Sequence, residues 1–200
     1  MEHFYQNIQG WFDFQNHYTN IVNQVQEPAH FVEVGTWKGT SAAFMAVEII
    51  NSGKNIRFDC VDTWQGSDES AHQGDQHIQN NTLYDHFLEN MRSVEGKFTP
   101  VRLPSVDAAQ QYADASLDFV FIDAGHDYDS IKSDIIAWLP KVKSGGWIGG
   151  HDYTWCEGIR RACDELVPNH IPDPSWSREE QRYIPELEQR GVSWMYQIPL

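Results

Sequence analysis

LDFVFIDAGHDYDSIKSDIIAWLPKVKSGGWIGGHDY, residues 117–153, is the stretch whose reading decides the fold. Leu117 to Ile122 is a short, almost wholly apolar run rich in aromatic and branched side chains. Such a run reads as a strand covered on both faces. It ends in Asp123. Tyr128, Ile131, Ile135 and Trp138 then recur at helical spacing, and Pro140 closes that helix. Gly145-Gly146 reads as a turn, and Trp147 to Gly150 as a second strand ending in His151-Asp152. Strand, helix, strand in this order requires a crossover, and therefore a parallel pair.

The alternation continues outward in both directions. Phe14, Tyr18, Ile21 and Val25 mark an opening helix that Pro28 ends, within an N-terminal helical segment (1–28) that is a lid candidate. His30 to Val34 is a buried strand, Gly35 to Gly39 a turn, and Thr40 onward a helix with Ala43, Val47 and Ile50 inward, stopped by Gly53. Ile56 to Val61 is a strand ending at Asp62, followed by a long polar loop from Thr63 to about Asn81. Leu83, Phe87 and Met91 lie on a helix, Phe98 to Leu103 is a strand, and Ser105 or Val106 starts a short helix. A helix over roughly Glu157 to Leu166 precedes a segment rich in Pro and charge (168–191), read as an insertion before a last strand in which Val192, Trp194, Tyr196 and Ile198 alternate. The whole reads as one α/β domain over residues 1–200.

Composition narrows the function. A formal net charge of −15 over 200 residues disfavours nucleic acid and anionic membrane as partners, since both would be repelled at long range. Cys60, Cys156 and Cys163 form no CxxC pair and read as reduced thiols of a cytoplasmic protein. No stretch reaches the roughly 20 apolar residues of a membrane span. The sequence leaves a homo-oligomer open.

In open α/β sheets, ligands bind beyond the carboxyl ends of the strands. Those ends carry Glu33-Val34-Gly35-Thr36-Trp37-Lys38-Gly39, Asp62, Ser105, Asp123 with His126 three residues on, and His151-Asp152. Gly35 and Gly39 let a ligand approach the main chain. The turn is neither GxGxxG nor a P-loop, which disfavours a pyrophosphate ligand and a nicotinamide dehydrogenase. Glu33 suits a cationic ligand, such as the amino group and sulfonium of S-adenosylmethionine. Asp62 can accept from ribose hydroxyls. A plain strand-to-helix turn with glycine for packing, and a solvated loop aspartate, are the alternatives.

FVEVGTWKGTS (31–41), FDCVDTW (58–64) and the 117–153 stretch resemble class I S-adenosylmethionine-dependent methyltransferases of the methyltransferase family 24 type. The resemblance covers about Gly10 to Leu166. It implies a Rossmann-like three-layer sandwich whose seven-stranded, mostly parallel sheet ends on an antiparallel strand, here Val192 to Ile198. It implies that Glu33, Gly35, Thr36, Gly39 and Ser41 form the cofactor turn, that Asp62 holds the ribose, that Ser105 and Val106 contact the adenine, and that Asp123 lies near the reacting methyl group. The chain is also similar to metal-dependent O-methyltransferases acting on catechols and macrolide sugars. That likeness implies a divalent cation, Mg²⁺ or Mn²⁺, on Asp123, His151 and Asp152, with His126 as general base. His151 departs from the acid usual there, and imidazole shifts preference towards softer metals or towards no metal at all.

The expected activity is methyl transfer to a hydroxyl of a small-molecule acceptor such as a sugar or natural product. The alternative is a catalytically silent protein that kept the cofactor fold. Gly10-Trp11-Phe12, Trp37, Trp64, Tyr153 and Trp155 are expected near the acceptor, with some of them in the core. His72, His77 and His86 read as surface or loop residues.

Overall fold

In the computed structural model, the strands expected from the sequence assemble into one sheet; residues 1–67, 70–172, 176–177, 182–183 and 193–200 are described. The strands are β1 (Ala29–Val34), β2 (Ile56–Asp62), β3 (Thr99–Arg102), β4 (Leu117–Ile122), β5 (Val142–Gly150), β6 (Ile171–Pro172), β7 (Trp176–Ser177), β8 (Arg182–Tyr183) and β9 (Trp194–Gln197). The sheet order is β3-β2-β1-β4-β5-β9-β6, and β7 pairs with β8 apart from it. β1 to β5 pair in parallel, whereas β9 is antiparallel to both β5 and β6. The sheet is thus seven strands, the outermost only two residues long, with β9 alone reversed.

The helices are α1 (Gln15–Gln24), α2 (Thr40–Ser52), α3 (Ser70–Gln73), α4 (Gln76–Gln79), α5 (Leu83–Asn90), α6 (Ser105–Ala109), α7 (Tyr128–Trp138) and α8 (Glu157–Leu166). Strand alternation sorts the core into two halves. Phe31, Phe119 and Phe121 face α1 and α2 and pack with Phe14, Tyr18 and Met45. Val32, Val34, Val120 and Ile122 point the other way, onto Ile131, Ile135 and Trp138 of α7 and Ile159 of α8. Burial on both faces is why these strands read as apolar runs. No helix among the described residues is long and apolar enough to cross a membrane.

Three boundaries differ from the sequence reading. The stretch after Asp62 is not a plain loop: it holds α3 and α4, and Asp75 caps α4 by accepting from the His77 N–H at 2.8 Å. Gly145-Gly146 is not a turn between elements but lies inside β5, where the register against β4 shifts between Leu117 and Phe119. Gly145 takes φ +78 there, so the chain bends without leaving the sheet. Val192 falls outside the described residues, as does most of 168–191; Ile198 lies past β9 but still pairs its backbone with Gly145 and Gly146. The 1–28 segment is rooted in the core by Phe14 and Tyr18, and only its Gly10–Asp13 stretch reaches the ligand-facing edge.

Candidate active site

The carboxyl ends of β1, β4 and β5 open into one cleft of about 640 Å³. Gly35, Thr36 and Ser41 come to its wall from the first turn, Asp123 and His126 from the end of β4, and His151 and Asp152 from the end of β5. A second depression, lined by Gln65 to Ser67, Gly125, Asp127 and Ser130, shares His126 with it. Among the residues expected to bind cofactor, Glu33, Gly39, Asp62, Ser105 and Val106 do not line the cleft.

Gly35 makes the turn possible. It holds φ +89, and a Cβ there would sit 2.0 Å from the Asp123 carbonyl oxygen. The backbone of the first turn therefore lies directly on the end of β4. Thr36 is buried, and its Oγ1 has no hydrogen-bond partner. A buried hydroxyl without a protein partner on a cleft wall can bond to a group held there. Gly39 starts α2 at φ +93 and gives room to Phe87 and Met91 behind it.

Glu33 lies under the turn, not in the cleft. Its Oε2 accepts from the Tyr18 hydroxyl at 2.7 Å and its Oε1 from the Ser41 hydroxyl at 2.8 Å. Burial raises its pKa from 4.5 to about 7, against the pull of these two bonds. The unfolded chain therefore loses this proton at lower pH than the folded one. Stability associated with Glu33 is full below about pH 4.5 and is lost as pH rises through about 7, a change on the order of 3 kcal/mol. Glu33→Gln is expected to remove that part of the slope between urea unfolding at about pH 5 and about pH 8. An unchanged slope would show that Glu33 is already ionised in the fold.

Asp62 is also committed locally. Its Oδ2 accepts from the Trp37 N–H at 2.8 Å and its Oδ1 from the Trp64 N–H at 2.7 Å. Both tryptophans hold positive φ, 43° and 52°, so the carboxylate fixes two backbone conformations that cost energy. Burial pushes its pKa up in spite of these bonds. Each oxygen keeps a second lone pair. Ser105 Oγ accepts from the Trp138 indole at 2.9 Å at the head of α6, and Val106 beside it is exposed.

The acids and histidines form a chain of contacts. His126 Nε2 lies 3.0 Å from Asp152 Oδ2 and 4.0 Å from Asp123 Oδ1. His151 Nδ1 lies 3.2 Å from the same Asp152 oxygen, while its Nε2 meets Asp13 Oδ1 at 2.8 Å. Burial works against a charge on His151, but Asp123, Asp13 and Asp152 outweigh it and push its pKa up to about 11. Asp152 is held well below the usual carboxylate range: burial opposes this, and His126 and His151 overcome it. Asp123, His126 and Asp152 can each offer one ligand atom within 4.8 Å of the others. His126 thus joins Asp123 and Asp152 in a set with metal-site geometry. His151, the expected ligand, presents Nδ1 to Asp152 at 3.2 Å and to Asp123 at 3.8 Å, and its Nε2 meets Asp13.

Aromatic side chains form the outer wall. Trp11, Phe12, Trp37 and Trp155 line the cleft, as expected, whereas Trp64 and Tyr153 are core residues. Trp37 stacks on Trp11 at 5.3 Å and on His72 at 5.4 Å. His72 is thus a wall residue and not a bystander of the loop. Behind the stack, buried Lys38 donates to Gln9 at 2.8 Å and pairs with Asp75, tying the N-terminal segment and α4 to the turn. Asp13 was not singled out from the sequence: its partner lies 138 positions away, and nothing local marks it.

Comparison with known proteins bears on the family and the fold. Residues 32–153 match the family model of a methyltransferase domain. The chain is 26% identical over 127 residues to the uncharacterized protein y4gI of Sinorhizobium fredii, but it spans only 13% of that protein's length. Its fold is similar to the O-methyltransferase NovP (TM-score 0.66, 18% identity, covering 93% of this chain and 79% of that one). It is also similar to an O-methyltransferase from Bacillus cereus solved in complex with SAH (TM-score 0.61, 15% identity, covering 96% and 85%).

Proposed function

We propose, from the premise that this chain belongs to the methyltransferase domain family matched by its residues 32–153, that it transfers a methyl group from S-adenosylmethionine to a hydroxyl of a small molecule. The observation that carries this reading is the meeting of the Gly35–Ser41 turn, Asp123, His126 and Asp152 on one cleft wall. Cofactor fits there on three counts. Gly35 brings the backbone of the first turn to the cleft wall, Thr36 Oγ1 has no protein partner, and Asp123 and Asp152 favour a sulfonium cation. The net charge of −15 supports an acceptor other than nucleic acid. The free thiols suit a reducing compartment, and we assign the protein to the cytoplasm.

In this reaction the acceptor oxygen attacks the methyl carbon. The new C–O bond forms as the C–S bond breaks, S-adenosylhomocysteine leaves, and the hydroxyl proton goes to His126. Asp152, 3.0 Å from Nε2, orients that ring and stabilises the charge it gains. His151, held between Asp13 and Asp152, fixes the carboxylate from the other side.

A second reading rests on the closeness of Asp123, His126 and Asp152. Two carboxylate oxygens and an imidazole nitrogen would suit a divalent ion of the Mn²⁺ or Zn²⁺ kind better than Mg²⁺. Such an ion lowers the pKa of a bound hydroxyl. His126 would then be a ligand and not the base.

Calorimetry tests the common core of both readings. S-adenosylhomocysteine is expected to bind with a Kd on the order of 10 μM. Absence of binding at millimolar ligand would remove the proposal. EDTA then tests the metal: turnover lost to chelator and restored by Mn²⁺ supports the second reading, and turnover indifferent to chelator leaves His126 the base.

A further inference from the structure

The short helix α4 has no buried side chain, so hydrophobic burial does little to hold it, and specific contacts do the rest. Its His77 lies flat on His86 of α5, with ring centroids 3.9 Å apart and planes 7° from parallel. His77 Nδ1 is 3.1 Å from the Thr82 hydroxyl, which fixes the ring over its partner. Asp75, at the head of α4, pairs with buried Lys38. Ile78 covers Gly66. Beneath them α5 is rooted in the core by Leu83 and Phe87, so α5 is the fixed partner and α4 the docked one.

The two small helices are tied together. The Asp75 N–H donates to the His72 carbonyl at 3.0 Å, and the Gln79 side-chain amide donates to the Gln73 carbonyl at 3.1 Å. His72 in turn stacks on Trp37 at the cleft wall. The imidazole pair is thus joined to the cleft by consecutive contacts.

Neutral imidazoles can stack at this distance, whereas two imidazolium rings would repel each other. The charged groups around His86 are of both signs. Burial, then His77 and the Lys38 ammonium, hold its pKa below the usual imidazole range, against the pull of Asp75 and Glu89. A group depressed in this way contributes stability that is present above its ordinary pKa and lost as pH falls. His72 is in the opposite situation. It faces the Asp62 carboxylate and the Trp37 ring, where a proton is favourable, so its own ionisation would hold α3 in place.

We propose that the His77–His86 stack is an acid-sensitive latch: with a proton on each ring, α4 leaves α5, α3 follows, and His72 parts from Trp37 on the cleft wall. The latch concerns how the wall is held and does not depend on the methyl-transfer reading.

Hydrogen exchange followed by mass spectrometry on the full chain, without ligand, tests it at about pH 7.5 and about pH 5.5, with rates corrected for intrinsic exchange. Amides of residues 72–82 are expected to lose at least about tenfold in protection at the lower pH, while those of β4 keep theirs. His86→Phe keeps a flat ring that cannot be charged. Its protection over 72–82 is expected to differ by less than about twofold between the two pH values. His86→Lys places a fixed charge under His77 and is expected to lower that protection at least about fivefold already at about pH 7.5. Wild-type protection that ignores pH, an acid loss of the same size in His86→Phe, or a His86→Lys protein as protected as the wild type at the higher pH would each overturn the inference.

Discussion

Gly35→Ala is expected to cost about 3–5 kcal/mol of stability and to abolish S-adenosylhomocysteine binding. Two penalties add. The residue holds φ +89, a region that side-chain-bearing residues enter only with strain. The new Cβ would also lie 2.0 Å from the Asp123 carbonyl oxygen, 2.5 Å from its carbon and 2.9 Å from Ala124 Cα. All three are backbone atoms of the chain leaving β4, so no side chain can swing away. Either β4 separates from β1 or the turn moves, and either shift displaces Asp123 and Thr36. Gly53→Ala is the control, because it shares a positive φ of +68 but meets nothing within 4 Å. It is expected to lose only about 1–2 kcal/mol. Urea unfolding of both variants measures the difference. A Gly35→Ala protein no less stable than Gly53→Ala would mean that the turn does not press on β4 as drawn.

Replacing His126 by alanine is expected to lower kcat by about 10²–10⁴-fold while leaving S-adenosylhomocysteine affinity within about threefold. The ring sits between two carboxylates, 3.0 Å from Asp152 and 4.0 Å from Asp123, at the junction of the two depressions. Asp152 and His151 beside it are poor proton acceptors at neutral pH. Asp152 is held strongly ionised, and His151 already carries its proton to about pH 11. Turnover near that of the wild type would remove His126 from the chemistry under either the base or the metal reading. His126→Asp keeps a metal-ligating oxygen but replaces the imidazole. It is expected to retain Mn²⁺-dependent turnover only if His126 is a ligand.

Much of this was legible in the sequence because it depends on local pattern. Leu117–Ile122 puts apolar side chains on both faces, since helices cover both sides of the sheet, and that burial writes a run broken only by Asp118; Ala29–Val34 is likewise apolar apart from His30 and Glu33. Ile131, Ile135 and Trp138 keep the period of α7, and Gly53 marks the end of α2 by its left-handed backbone. The strand ends were readable for the same reason. A polar residue directly after an apolar strand lies at the sheet edge, and parallel pairing places β1, β4 and β5 ends on one side. Gly35, Thr36, Ser41, Asp123, His126, His151 and Asp152 therefore line one cleft.

What the sequence by itself determined was the order of elements, the parallel sheet and which strand ends face the ligand. Hydrophobic period and the handedness of crossovers leave few other ways to pack the chain. The tertiary structure alone decided what each polar group does there. Glu33 is turned under the turn to Tyr18 and Ser41, Asp62 is spent on the Trp37 and Trp64 amides, His72 is brought to the wall, and His151 is claimed by Asp13. Side-chain partners separated by up to 138 positions are chosen by geometry in three dimensions. A carboxylate's role follows from the donors that surround it once water is removed, and no spacing along the chain encodes that set.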